Sequence, residues 1–264
     1  MKEEDIINTL LFHLSDKESH PLFLATPNPE ILLLSKQDPD YKNILNNTDL
    51  NIPDGNGIIW ANYFLSKVRK IHSKTFITLA GIGSLFAFLF HPKNTAEPFN
   101  KAIHGSDLMQ HICLDSEFAG HKIFLLGNVE GLMSNTAEIA ADRLKELNPE
   151  IQIVGYFDST PTSEVAVEKI NASEAEIVFV AFGAPAQEIW IANNLKQMPK
   201  VKLIMGVGGS FDFIAGIIPR APSWMRSFGL EWAYRLIKQP LKRAKRIYNA
   251  LVVFPYTIIK NRLF

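Results

Sequence analysis

The residues of this 264-residue chain that could do chemistry fall into three groups: one turn carboxylate, three glycine-bearing loops, and a run of arginines among tryptophans. Asp54 lies in PDGNG, with Gly55 and Asn56 directly after it, where a short apolar segment gives way to a turn. A carboxylate held there can face a ligand and accept a proton from an attacking hydroxyl. Asp-Gly is also a common turn dipeptide, so a purely structural turn is the competing reading. Gly127 in LLGNVEG, Gly183 and Gln187 in FGAPAQE, and Gly208, Gly209, Ser210 and Asp212 in GVGGSFDF each follow an apolar run. Glycines just past a buried strand let backbone N–H groups approach a phosphate, while Gln187 and Asp212 could bond a base or sugar hydroxyls. Loop geometry and helix capping are the alternatives, but three such loops favour one shared ligand rim. Arg220, Arg226 and Arg235 lie in PRAPSWMRSFGLEWAYRL. Their planar forks suit phosphate recognition, and surface charge is the other reading.

Other chemistries have little to stand on. Asp38 and Asp40 form a D-x-D, but within SKQDPDYKN, which reads as a turn between helices. The Gly127 loop is not the G-x-G-x-x-G of dinucleotide binding, and the zincin, serine-hydrolase and Walker signatures are absent. The single cysteine, Cys113, excludes an internal disulfide and a multi-cysteine zinc site. The seven histidines are scattered, and only His104, in HGSDL, neighbours a motif.

The elements that must position these groups alternate. Strands are expected over 21–25, 50–52, 122–126, 151–154, 177–181 and 201–205. Helices are expected from Pro29, over 58–70, 108–114, 132–147 and 187–195. Thr26 or Asn28 would cap the helix from Pro29, and Ser106 or Asp107 the one from Leu108. This alternation predicts an α/β fold: a doubly wound, mostly parallel, Rossmann-like sheet with ligands at the carboxyl ends of its strands. A 47% apolar content suits one large core.

Charge divides the chain. Residues 220–264 hold ten Lys or Arg against Glu231, a net +9, so residues 1–219 carry −9. Apolar residues recur at Leu230, Tyr234, Ile237, Leu241, Ala244, Tyr248 and Leu251, one stripe of a basic amphipathic helix that Pro240 kinks or splits. Such a helix fits an anionic membrane surface, or packs on its own acidic body. Residues 75–90, TFITLAGIGSLFAFLF, carry no charge but fall short of the roughly twenty residues of a membrane span. A buried helix is the first reading and an interfacial membrane contact the second. The N-terminus, MKEEDIINTL, lacks the pattern of a signal peptide, so a cytoplasmic location is expected, peripheral to the inner face of the membrane.

Taken in order, TPNPE, NNTDLNIPDGNGIIWA, GSDLM, FLLGNVEG, FGAPAQEIWIA, GVGGSFDFIAG, RAPSWM and GLEWAYRL resemble the WecG/TagA/CpsF family of bacterial glycosyltransferases, glycosyltransferase family 26. The resemblance runs from about Phe23 to Pro240. It implies an inverting transferase without cofactor or obligatory metal, working on two substrates. The donor would be a UDP-sugar, with N-acetylmannosamine or its uronic acid first in line. The acceptor would be a polyprenyl-diphosphate-linked saccharide in surface-polysaccharide or teichoic-acid biosynthesis. By that resemblance Asp54 is the catalytic base. Thr26, Asn28, Gly55, Asn56, Gly127, Gly183, Gln187, Gly208, Gly209, Ser210 and Asp212 face the donor. Arg220, Arg226 and Arg235 complete the site over the diphosphate. Residues 1–217 become a catalytic domain, with an apolar insertion at about 71–103, and 218–264 a membrane-docking lid. No nucleic-acid partner is expected; a homo-oligomer stays open. The family carries an arginine shortly before G-S-D-L, where this chain has KAIHGSDL, so Lys101, His104 and Asp107 are further candidates. A non-catalytic nucleotide-sugar-binding protein of the same fold is the alternative.

Overall fold

A computed structural model describes residues 3–16, 20–90, 103–127, 135–219, 221–222, 225, 231–238 and 240–263. Side chains of residues 86–90, 231–232, 235, 238, 241–243 and 262–263 fall outside that description. Six strands form one sheet: β1 (Leu22–Ala25), β2 (Leu50–Asn51), β3 (Lys122–Leu126), β4 (Gln152–Phe157), β5 (Ile177–Val180) and β6 (Leu203–Gly206). Their spatial order is β2-β1-β6-β5-β3-β4, and every pairing is parallel. Four of these strands are short runs of buried residues, as expected of a sheet covered on both faces.

Alternation along the strands divides the core in two. Leu22, Leu24, Ile123, Leu125, Ile177, Phe179, Leu203 and Met205 point to one face. There they meet α1 (Glu3–Ser15), α6 (Gly105–Leu114), α7 (Thr136–Leu147) and α10 (Ser210–Ile214). Phe23, Ala25, Phe124, Leu126, Val178, Val180 and Ile204 point to the other. That face is covered by α2 (Pro29–Gln37), α3 (Pro39–Asn46), α8 (Ala166–Ser173) and α9 (Ala186–Asn194). The doubly wound parallel sheet expected from the alternation of elements is what forms.

A third apolar cluster lies beyond the sheet. It joins α2 to α4 (Asn56–Val68), α5 (Lys74–Phe90) and the C-terminal helix through Leu33, Trp60, Phe64, Ile77 and Phe254. The C-terminal segment comprises α11 (Glu231–Lys238), α12 (Pro240–Tyr248), a π-helical turn (Asn249–Val253) and α13 (Phe254–Leu263). Helix is thus described on both sides of Gln239, which itself lies outside the described residues. Arg246 pairs with Glu30, Lys36 Nζ donates to Asn261 Oδ1 at 2.9 Å, and Phe254 is buried. The last helix is thus part of the packed molecule, although Ile237 and Tyr248 of the apolar stripe face solvent.

Several local readings change. The helix expected from Leu108 starts at Gly105, so Ser106 and Asp107 lie inside its first turn rather than capping it. His104 takes the cap position, and its carbonyl accepts from the N–H groups of Asp107 and Leu108. β4 begins one residue later than expected and runs on to Phe157. Helices α1 and α8 lie where no helix was expected from pattern. Asp38 of the D-x-D caps α3, accepting from the N–H groups of Asp40 and Tyr41 at 3.0 Å each.

Candidate active site at the carboxyl edge of the sheet

Because all six strands are parallel, the loops bearing the candidate residues emerge from one edge. The chain leaves β1 toward the face covered by α2 and α3, and leaves β6 toward the face covered by α10. β1 and β6 are adjacent, so their loops diverge and open a crevice between them, the usual place for a ligand in an open α/β sheet.

One wall is built from β1, β2 and α6. Asn28 caps α2, its Oδ1 accepting from Glu30 N at 3.0 Å and Ile31 N at 3.1 Å. Of the two cap candidates, Asn28 and not Thr26 does this. The loop after β2 is stitched to the loop after β1: Ile52 N donates to Ala25 O at 2.9 Å and Asp54 N to Pro27 O at 2.8 Å. Gly55 then takes φ +94°, a conformation that favours glycine, and the chain turns into α4 at Asn56. Gly55, at the cap position, brings no side chain to that helix start. Thr26 is buried, and Gly105 sits so close that a Cβ there would lie 2.7 Å from Thr26 Oγ1. This contact seats the start of α6 on the end of β1, and His104 arrives beside Asp54. The Nδ1···Oδ1 distance is 2.8 Å, with the side chains 38% and 26% exposed. With Nδ1–H donating, one carboxylate oxygen is held by the imidazole.

The other wall comes from β5 and β6. Gly183 (φ +75°) and Gly208 (φ +52°) both need the left-handed region. Gln187 is buried, and its amide is engaged within the protein. Its Oε1 accepts from Gly208 N at 2.9 Å, and its Nε2 donates to Glu188 Oε1 at 2.7 Å. Glu188, 1% exposed, also accepts from Tyr41 Oη at 3.0 Å. Burial pushes the Glu188 carboxyl up, against the lowering effect of those donors, and burial with Glu188 beside it pushes the Tyr41 phenol up. Gln187 therefore shapes the loop after β6 through the backbone of Gly208. Ser210 is buried with Oγ donating to Val207 O at 2.6 Å. Asp212 is also buried, and its carbonyl accepts from Ile218 N at 3.1 Å.

Gly127 takes φ +97° at the end of β3, its N–H donating to Phe157 O at 2.8 Å. The first turn of α7 is occupied by Asp158, which accepts from Ala137 N at 2.9 Å and Glu138 N at 3.4 Å. Desolvation pushes the Asp158 carboxyl up. Asp107 lies in the first turn of α6. Lys101, Arg220 and Arg226 lie outside the described residues, as does the side chain of Arg235, whose backbone belongs to α11. Among the described residues no group of three His, Cys, Asp or Glu could hold a metal ion. Cys113 is buried, which pushes its thiol up and leaves it unreactive.

The model of the "Glycosyl transferase WecG/TagA/CpsF family" matches residues 1–79 and 68–264, which together span the chain. The chain belongs to the WecG/TagA/CpsF glycosyl transferase family. Among its relatives are three proteins named N-acetylglucosaminyldiphosphoundecaprenol N-acetyl-beta-D-mannosaminyltransferase. The Bacillus spizizenii protein is 30% identical over 83% of this chain and 72% of its own length. The Bacillus subtilis protein is 29% identical over 90% and 79%. A Staphylococcus aureus protein is 27% identical over 97% and 87%. His104 was a candidate from sequence, but its pairing with Asp54 was not legible there, nor was the link from Glu188 and Tyr41 to Gln187. AQE flags Glu188 only as the neighbour of a motif, and Tyr41 carries no signal beyond an apolar position.

Proposed function

We propose that this chain transfers an N-acetylmannosaminyl group from UDP to a polyprenyl-diphosphate-linked N-acetylglucosamine, at the membrane face that presents the lipid acceptor. The Asp54–His104 pair, held beside the crevice at the carboxyl edge, is the observation that carries the reading. The relatives' names supply the sugar and the acceptor. The acceptor hydroxyl oxygen bonds to C1 of the donor sugar as the C1–O bond to UDP breaks. The bonding pair leaves with the diphosphate, the hydroxyl proton passes to Asp54, and a single displacement inverts the anomeric centre. His104 orients the carboxylate so that its second oxygen meets the hydroxyl.

Charge develops on the departing diphosphate. In this proposal the loop N–H groups near Gly183 and Gly208, with Arg220, Arg226 and Arg235, stabilise it without an obligatory metal. Residues 218–264 then act as the part that brings those arginines and membrane affinity to residues 1–217. Thr26, Asn28 and Asp212 contribute to the donor side.

Release of UDP from UDP-N-acetylmannosamine, with polyprenyl-diphosphate N-acetylglucosamine as acceptor, tests the reading. Wild type is expected to turn over, and Asp54→Asn to lose at least about a hundredfold in kcat, the usual weight of a general base. An Asp54→Asn variant at wild-type rate refutes the assignment of the base. A wild type inert with every UDP-sugar refutes the transferase reading.

A further inference from the structure

Over residues 74–85, whose side chains are described, the apolar helix α5 packs along one side. Ile77 is buried in the third cluster, and a Cβ on Gly81 would lie 2.6 Å from Ile259 Cδ1, so α5 and α13 are in close contact along that side. The other side carries Phe76, 65% exposed, Leu79, 60%, and Ile82, 50%, each three residues after the last. That spacing places them on one helix face. Three large apolar side chains side by side in water are an interaction surface rather than scattered exposure. Leu65, on the neighbouring helix α4, is exposed as well.

Charge decides what covers this face. From Gly55 to Ala96 the chain contains no Asp or Glu. Within that stretch Lys67, Arg69, Lys70 and Lys74 are all exposed, between the end of α4 and the start of α5. They form a basic collar at one end of the apolar face, separate from the basic C-terminal segment. A second copy seated here through the same hairpin would bring more cations and, from residues 55–96, no carboxylate to offset them. No helix among the described residues is long and apolar enough to cross a membrane. A helix with an apolar face and adjoining cations can instead lie in the headgroup region of an anionic bilayer.

We infer that the α4–α5 hairpin is a second membrane-docking element, which dips Phe76, Leu79 and Ile82 below the headgroups of an anionic bilayer while Lys67, Arg69, Lys70 and Lys74 engage the headgroups. It rests on the membrane-side reading proposed above and assigns to it a surface distinct from the C-terminal helices. The hairpin leads directly out of the Asp54 turn through α4, so the element that touches lipid is also the one that follows the proposed base.

The test uses the full chain and sedimentation with vesicles of equimolar phosphatidylcholine and phosphatidylglycerol. A Phe76→Ser/Leu79→Ser/Ile82→Ser variant should lose at least about tenfold in partitioning, since each serine removes apolar area that the lipid would cover. A Lys67→Gln/Arg69→Gln/Lys70→Gln/Lys74→Gln variant should lose binding to these vesicles and show no change on pure phosphatidylcholine. Depth is read separately: because Cys113 is buried, Leu79→Cys can be labelled with an environment-sensitive dye, which should shift to the blue on the mixed vesicles. The same dye on Lys145→Cys, in α7 on the far side of the sheet, should not shift. Unchanged partitioning of the serine variant, or no shift at position 79, overturns the proposal. A dimer in wild type that the serine variant abolishes, with vesicle binding intact, overturns it in favour of a subunit interface. Transfer to a detergent-dispersed acceptor should be unaffected by the serine variant. Absence of transfer in wild type would indict the proposed reaction while the vesicle result stood on its own.

Discussion

Replacing His104 with alanine removes the donor that holds Asp54 Oδ1 at 2.8 Å. A hydrogen bond to an ionised acceptor contributes about 1.5–3 kcal/mol. Both side chains are partly open to water, 38% and 26% exposed, so solvent replaces part of what is lost and the lower end, about 1.5 kcal/mol, applies. If the bond orients the base in the transition state, that energy appears in kcat as a loss of about tenfold, with KM for the donor little changed. His104→Asn offers a control with chemical meaning. Its Nδ2 occupies nearly the place of the imidazole Nδ1 and can still donate to Asp54, so it should recover part of kcat. His104→Gln places its donor near Nε2 and should not. UDP release at saturating donor and acceptor gives kcat for all three, and thermal melts show whether the fold is intact. An alanine variant with wild-type kcat refutes the orienting role. Equal losses in all three, accompanied by lowered melting temperatures, would reduce His104 to a support for the start of α6.

Two further outcomes follow from the same geometry. Tyr41→Phe deletes one donor to the buried Glu188 carboxyl, worth about 2 kcal/mol, and should lower the melting temperature by about 5 °C; it should also raise the donor KM, because Glu188 holds Gln187, which holds Gly208 N. A melt and donor titration indistinguishable from wild type would break that chain of support. Glu174, flanked by Lys200 and Lys122, is held down from the ordinary 4.5 to about 2. Its contribution is present above the unfolded value and is lost as pH falls from about 4.5 toward 2, so the urea midpoint of Glu174→Gln should converge on wild type across that window. A constant gap between the two would contradict it.

Strands β3, β5 and β6 were legible because they are apolar runs with a glycine at or just past their ends, and burial on both faces leaves no other home for such runs. The site loops were legible for the related reason that glycines at 55, 183 and 208 stand where the backbone takes positive φ. Legibility failed where partners are distant in sequence. Gln187 reads as a ligand contact from FGAPAQE, yet its amide is engaged by Gly208 and Glu188, which depends on α9 packing beside β6. Asp107 reads as a helix cap, yet the helix starts earlier because Gly105 can press against Thr26. The apolar run at 75–90 reads as a buried helix or an interfacial contact. Packing against α13 makes it a half-buried helix with an exposed apolar face.

Sequence by itself determined the family, the parallel α/β class and the set of loops that line one edge, because periodicity and glycine placement are local properties. Tertiary structure alone decided which face of each element is used. It joined Asp54 to a histidine fifty residues away, turned Gln187 inward, and left one side of α5 uncovered. Those outcomes depend on distances between segments, which no local pattern encodes.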